Sequence, residues 1–288
     1  MSSISNKSSL NFRHDSDVFE YRQQRYKSIL KVIVFNVFSF VFILTVWQLI
    51  ALWVTQTRGV PFPTPISTCQ RLISLVLGNL LYEKTIGHHL VTSLFRWGMG
   101  YMISVVIGLS IGMTFGIYRL IHDLFMPTVY IIQLIPGLAW IPITLLLFGL
   151  GEGATIFMIS MTALAPIIIS TTGGIRSVPP IYTNVAKMLG LSQSQVFLHV
   201  LLPASLLSII NGLRIGFANG WRVLIAAEMV VGVSTGLGYS LMQARWSLDF
   251  EAALVCVFII CTVGLIVEKL LFARIERKIL QRQGLVGK

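Results

Sequence analysis

The chain has 288 residues, of which 55% are hydrophobic and 11% charged, with a mean hydropathy of +0.80 and a formal net charge of +11. That composition excludes a soluble globular domain. The basic excess falls at the two ends and in short segments between apolar runs. It therefore reads as a topology signal, and nucleic acid is not needed to explain it.

Residues 1–31 are polar and carry Lys7, Arg13, Arg22, Arg25, Lys27 and Lys31, as expected of a cytoplasmic N-terminal segment. The apolar run that follows, residues 32–54, is too long for the core of a cleavable signal and reads as a first transmembrane helix. Residues 55–96 are too polar to cross and read as an extracytoplasmic segment. Pro61, Pro63 and Pro65 give it an extended lead-in, and Leu72, Leu75, Leu77, Leu80 and Leu81 suggest a helix lying on the outer surface. His88 and His89 are adjacent, so on a helix they point about 100° apart and make a poor metal pair. They are expected at the surface.

Residues 97–272 hold five further apolar runs: Trp97–Tyr118, Leu124–Gly151, Gly153–Ile175, Ala204–Val231 and Ala252–Val267. A helix needs about 20 mostly apolar residues to cross the hydrocarbon, and the last run reaches that only by borrowing from its flanks. None alternates with the period of two that a barrel strand requires. The fold class is an all-α polytopic membrane protein with six transmembrane helices. Arg119, Arg176, Lys187 and the tail 273–288, with Arg274, Arg277, Lys278, Arg282 and Lys288, lie on the side of the N-terminus. Arg58, Arg71, Lys84, Arg96 and Arg245 lie on the other. This places both termini in the cytoplasm. Cys69, Cys256 and Cys261 have no metal-ligand spacing and read as buried small hydrophobes.

Gly108, Gly112 and Gly116 repeat every four residues, as do Gly212, Gly216 and Gly220. Such ribbons let helices approach closely in lipid, although glycine is also frequent in membrane helices generally. Gly108-Leu-Ser110-Ile-Gly112 fits a nucleophile-elbow pattern by chance, since it lies within an apolar helix and not at a strand-to-helix turn. In the run after residue 204, Asn211, Arg214, Asn219 and Arg222 share an arc of about 140°. Glu228 falls toward the far side of it. Ionisable groups at this depth usually face a bundle interior or a wet path. The alternative is that Arg214 and Arg222 snorkel to opposite surfaces. Two cations with no acid on the arc would suit an anionic solute in a translocation path.

Between two of these runs lies NVAKMLGLSQSQVFLHVLLPAS, residues 184–205. Pro179 and Pro180 can start a helix, Ile181, Val185, Met188 and Leu189 line one face of it, and Gly190 is a stop. Ser192 and Gln195 form a capping box for a second helix, with Leu191 and Val196 as its staple. Val196, Phe197, Val200 and Leu201 give that helix an apolar face, which Pro203 closes. A hairpin over 180–202, with apolar faces on both arms, either seats in a protein groove or folds back on its own spans.

This segment resembles the cytoplasmic signature loop of ABC-importer permeases, E-A-A-x-x-x-G followed after nine residues by I-x-L-P. Asn184, Val185 and Ala186 stand at the E-A-A positions, Gly190 at the glycine, and Val200, Leu202 and Pro203 at I, L and P. The chain departs from the pattern at Asn184 and Val185, and the first departure removes a carboxylate that could pair with a partner. PFPTPISTCQRL, SLFRWGMGYMISVVIGLSIGMTFG, PTVYIIQLIPGLAWIPITLLLFGLGE and GLRIGFANGWRVLIAAEMVVGVSTGLG extend the resemblance, over roughly residues 60–270, to the subfamily serving aliphatic sulfonates, taurine and nitrate. It implies a type I importer (MetI-like) permease core of five helices, here with an extra N-terminal span and cytoplasmic coupling helices. It also implies two ATPase subunits, a second permease, an extracytoplasmic solute-binding protein, and residence in the cytoplasmic membrane of a prokaryote; one full core per chain makes a homodimer the natural expectation for the permease pair, with a paralogue as the alternative. Permeases of this type often leave selectivity to the binding protein.

The chain has no G-x-x-x-x-G-K-[ST] phosphate loop; its sole Gly-Lys pair is Gly287-Lys288. ATP and Mg are therefore expected on partner subunits, and no cofactor is expected here. A secondary transporter driven by an ion gradient is the alternative, opposed by the near absence of deep acids and of a repeat relating the halves. A membrane enzyme lacks a recognisable nucleophile–base set, and a simple channel has no use for a capped hairpin.

Overall fold

The computed structural model describes residue 31 and residues 34–282. The expectations for the N-terminal segment other than Lys31, for the start of the first span at Val32 and Ile33, and for residues 283–288 lie outside the described residues. The chain divides into two compact units, residues 1–67 and 68–288.

In the first unit, helix α1 (Val34–Arg58) has a mean hydropathy of 2.3 over its best window, and its side chains are almost all exposed. Thr45, Thr55 and Thr57 turn their hydroxyls back to the carbonyls of Val41, Ala51 and Trp53, which hides the polar atoms within the helix. After α1 the proline-rich stretch folds back: the Trp47 indole donates to the Pro63 carbonyl at 3.0 Å, and the Phe62 N–H donates to Thr55 Oγ1.

The second unit begins within α2 (Pro65–Val76), followed by the two-residue strands β1 (Leu80–Leu81) and β2 (Lys84–Thr85), paired antiparallel. The surface helix expected to include Leu80 and Leu81 thus ends at Val76, because Gly78 at φ 107 turns the chain into the hairpin. Next comes α3 (Ile86–Ile117), whose 32 residues extend about 48 Å. It starts eleven residues before the expected span at Trp97, capped by Thr85, whose hydroxyl accepts the His88 N–H. The expected boundary at residue 96 therefore falls inside a helix.

The run expected to be one span at Leu124–Gly151 is broken. Helix α4 (Arg119–Leu134) ends at Ile135, held extended at φ −72, ψ 117 by the proline that follows. A 3₁₀ turn (Gly137–Trp140) and α5 (Ile141–Phe148) then leave at 102° to α4. Helix α6 (Glu152–Arg176) follows, then α7 (Pro180–Met188), α8 (Gln193–Val196), a π-helical turn (Phe197–Leu201) and α9 (Leu202–Val230). The chain closes with α10 (Leu237–Trp246), α11 (Phe250–Ile266), a second π turn (Val267–Phe272) and α12 (Ala273–Arg282). From Phe250 to Gln281 the last three form one 32-residue helix, so the expected tail begins as its continuation. The described residues contain five helices long and apolar enough to cross a membrane, or six if the bent α4–α5 pair counts as one.

Helix α6 is the centre of the second unit, packed against both α3 and α9, which also touch each other. A Cβ added at Gly108, Gly112 or Gly116 would lie 2.8, 2.7 or 2.8 Å from Ile167, Thr171 or Ile175 of α6. From α9, one at Gly212 would lie 2.5 Å from Ser170, and one at Gly216 3.0 Å from the Ala163 carbonyl; Gly220 faces Ile159 at 3.3 Å. The two glycine ribbons thus pack on neighbouring faces of the same helix and share it at Ile167, which both Gly108 and Gly216 meet. The bare backbone is also used as an acceptor: Ser160 Oγ donates to the Gly100 carbonyl and Thr172 Oγ1 to that of Gly112. Leu75, Leu81, Leu237, Ala244, Ala252, Val255 and Cys256 form a separate buried cluster uniting α2, the β hairpin, α10 and α11. Of the three cysteines only Cys256 is buried; Cys69 and Cys261 are exposed, contrary to the expectation for all three.

Candidate functional site

Three groups of polar or exposed residues stand out against this apolar frame. The first is the hairpin. α7 starts at Pro180, with the Tyr182 N–H donating to the Pro179 carbonyl. It stops as the sequence requires. Gly190 sits at φ 79, its N–H donates to the Lys187 carbonyl, and the Leu191 N–H donates to that of Ala186, the paired bonds of a glycine-terminated helix. Ser192 then caps α8, accepting the Gln195 N–H while its own N–H donates to Gln195 Oε1 at 2.8 Å. Ala186 and Val196 are buried, whereas Ile181, Tyr182, Val185, Met188 and Leu189 are exposed, Met188 by 86%. Asn184 is exposed as well. A polar loop region thus holds an apolar face with nothing covering it among the described residues.

One expectation for the hairpin fails. Pro203 does not close the second arm; α8, the π turn and α9 run on as a helix of 38 residues from Gln193 to Val230. A proline ring clashes with the carbonyl four residues earlier. Here the turn before it, Phe197–Leu201, widens, and the Leu202 N–H reaches back five residues to the Phe197 carbonyl. Val200 and Leu202 are half-buried in this join and Pro203 is exposed. The second arm is therefore rigidly continuous with a span. Between it, Thr183 and Lys187 of α7, and Ile117 and Tyr118 at the end of α3 lies a cleft of about 640 Å³.

The second group is the polar face of α9. Asn211, Asn219 and Arg222 share an accessible face. The Arg222 guanidinium bonds only the Ala218 carbonyl at 3.1 Å and Asn219 Oδ1 at 3.4 Å, and among the described residues it has no ion pair. The adjoining Val223 packs on Gly137 in the α4–α5 break, beside Thr162 of α6. Irregular backbone at membrane depth persists only where protein covers it or water reaches it, so the break and Arg222 mark one level of the bundle. The expected second cation does not join them. Arg214 turns to Glu276 at 2.7 Å and Glu268 at 3.2 Å and lies 5.9 Å above the Phe272 ring. It ties α9 to the end of the last helix, and its charge is matched.

Glu228, also expected on the path, belongs instead to a third group that the sequence reading missed. It is 2% exposed. Arg96 Nη1 donates to it at 2.9 Å, as do Ser93 Oγ at 2.9 Å and the Gly238 N–H at 2.9 Å. The same guanidinium reaches the Thr235 carbonyl and, through Nη2, Glu152 Oε1 at 3.1 Å and Thr235 Oγ1. The Leu237 N–H donates to Ser93 Oγ. One turn before Ser93 on α3, His89 is buried, contrary to the expectation of a surface residue. Its Nδ1 accepts the Gly236 N–H, so its proton sits on Nε2, facing the Leu81 carbonyl at 3.2 Å. His89, Ser93 and Arg96 thus form a polar stripe of one α3 face that binds the 231–236 loop, the start of α10, α6 and α9 together. The signal was present in their i, i+4, i+7 spacing within an otherwise apolar helix.

Residues 104–281 match the family described as binding-protein-dependent transport system inner membrane component. Over 231 residues the chain is 32% identical to the nitrate import permease protein NrtB of Synechocystis sp., covering 79% of this chain and 82% of that protein. It is 33% identical to the bicarbonate transport system permease protein CmpB of Synechococcus elongatus, over 83% and 86% of the two chains. It is 29% identical to the taurine transport system permease protein TauC of Escherichia coli, over 78% and 82%. An inward-facing structure of the MetNI methionine ABC transporter matches with a TM-score of 0.56 at 18% identity, covering 65% of this chain and 92% of that one.

Proposed function

This chain belongs to the binding-protein-dependent transport system inner membrane component family, as a permease subunit of an ABC importer, and we propose that it carries a small anion of the nitrate, bicarbonate or sulfonate kind. The reading of an ion-gradient transporter falls with that membership. The observation that carries the anion proposal is Arg222. It is a permanently charged group, accessible beside a broken span and held only by a carbonyl and an amide, so it can still bind an anion. Asn211 and Asn219 add neutral polar groups to the same face. Arg214 is reassigned from the path to the bracing of the last helix, and Glu228 to the buried bracket.

The family implies ATPase and solute-binding partners. In our reading these are two ATPase subunits holding ATP and Mg, a second copy of this permease, and a binding protein on the face opposite the hairpin. Both termini and the hairpin are cytoplasmic, as the distribution of lysine and arginine supports. Asn184, Val185, Ala186, Gly190, Val200, Leu202 and Pro203 form the ATPase-coupling element. The exposed Ile181, Val185, Met188 and Leu189 supply the face that docks in a groove. ATPase closure moves that face, and the continuous helix from Gln193 carries the motion into the span. The chain itself does no chemistry.

The test is uptake by the reconstituted complex with nitrate, bicarbonate and taurine as probes. Arg222→Ala is expected to lower uptake of the transported anion at least tenfold while complex assembly is unchanged, and Arg222→Lys to retain part of it. Full uptake by Arg222→Ala would remove the residue from the path.

A further inference from the structure

We propose that α2 is an in-plane membrane anchor whose outward face is sunk in the leaflet on the side away from the α7–α8 hairpin. The reason lies in how α2 uses its two faces. Its inward face, with Leu75 fully buried and Leu72 packed beside it, joins the cluster containing Ala252, Val255 and Cys256 of α11. Its outward face is mostly apolar: Ile66, Cys69, Ile73, Val76 and Leu77 are exposed, Val76 by 68% and Leu77, just past the helix end, by 80%, with Gln70 the one exposed polar side chain among them. The only charge on α2 is Arg71, and it is already matched by Asp249 at 2.9 Å. A helix in water would carry charges on that outward face.

The depth follows from α11. Its charge-free stretch begins at Ala252, directly after Glu251. About 20 residues cross the hydrocarbon, so Ala252 marks roughly where one edge falls. Cys256 lies four residues in, about 6 Å along the axis. Leu75 shares one buried cluster with Ala252, Val255 and Cys256, and Arg71 pairs with Asp249 just before α11, so α2 lies close to the hydrocarbon edge at the start of that span. In α11 itself, Val257 and Phe258 are likewise exposed and apolar, as a lipid-facing span requires. The neighbouring α10–α11 turn adds an interfacial rim. Trp246 is 70% exposed with the Arg245 guanidinium 5.9 Å over its ring, and Leu248 is 70% exposed. Tryptophan and arginine in that pairing suit the headgroup region. Lipid is thus the occupant, and α2 fixes the depth of the β hairpin and of the start of α11, to which it is tied.

The full-length chain in liposomes tests this with nitroxide labels. Cys69 is labelled in a C261A variant, leaving the buried Cys256 in place; Ile73→Cys is labelled in C69S/C261A, and Lys84→Cys in the same background serves as the water reference. Dioxygen, which partitions into lipid, is expected to relax the labels at positions 69 and 73 severalfold more than a water-soluble nickel chelate does, with the reverse at position 84. Nickel accessibility equal to that at position 84 would overturn the proposal in favour of solvent. Low accessibility to both would overturn it in favour of a protein cover, whether a second copy or a binding protein.

Discussion

Arg96 holds three helices and a loop with one side chain. Its partners are of two kinds. Glu228 is enclosed and receives bonds from Ser93 and Gly238 as well, whereas the Glu152 side chain is 63% exposed. Removing one member of a buried ion pair leaves the other charged and unmatched, at a cost of about 3–5 kcal/mol. Arg96→Ala and Glu228→Ala are each expected to lower the thermal midpoint of the purified protein strongly. The double variant should be less damaged than the sum of the two, since both remove the same interaction; strict additivity would show that the two residues do not act as a pair. Glu152→Ala, at an accessible position, should change the midpoint little. Gly236 belongs to the same bracket: at φ 131, an added Cβ would lie 2.5 Å from the Glu228 carboxylate. Gly236→Ala is thus expected to behave like loss of the ion pair, as the same melting experiment would reveal.

At the scale of elements, the glycine ribbons allow a comparison within one helix. Gly108→Val pushes against Ile167 and is expected to cost about 1–3 kcal/mol, whereas a Cβ at Gly98, on the same helix, meets nothing within 4 Å. Gly98→Ala should be neutral or slightly stabilising, and equal melting losses for the two would contradict the packing account. The hairpin gives a second case. Gly190 is open in space, so Gly190→Val acts only through its φ of 79, a strain of about 1–2 kcal/mol. It should loosen α7 against α8 and lower transport-coupled ATPase activity without reducing the amount of folded protein; undiminished coupling would count against a rigid hairpin. What the sequence showed and hid follows the same division. The stop at Gly190, the Ser192–Gln195 box and the fourfold glycine spacing are local patterns, and each was legible. The acids that neutralise Arg214, Glu268 and Glu276, lie 54 and 62 residues away, and Glu228, which pairs with the buried Arg96, lies 132 residues away. Nothing in the chain near Arg96 or Arg214 reports those pairings. Three local features were misjudged: Gly78, which ends the surface helix before Leu80; Pro136, which breaks a run that hydropathy alone joins; and Pro203, which a widened turn lets the helix pass.

At the scale of the molecule, α3, α6 and α9 form a block whose backbones meet through glycine and hydroxyl–carbonyl bonds, and such packing moves as a body more readily than it deforms. The bracket around Arg96 fastens one end of that block, and the α7–α8 hairpin, joined without a break to α9, stands at the other. Force applied to the hairpin is therefore delivered to the helix that carries Arg222. This depends on an ATPase subunit gripping the apolar face of α7. The most direct measurement is cysteine cross-linking in the assembled complex, with Met188→Cys in a chain whose exposed Cys69 and Cys261 are replaced. A cross-link to the ATPase subunit whose yield changes when ATP is added is the expected result. A cross-link-free complex that still hydrolyses ATP and transports, or a position 188 reactive only from the opposite side of the membrane, would contradict it.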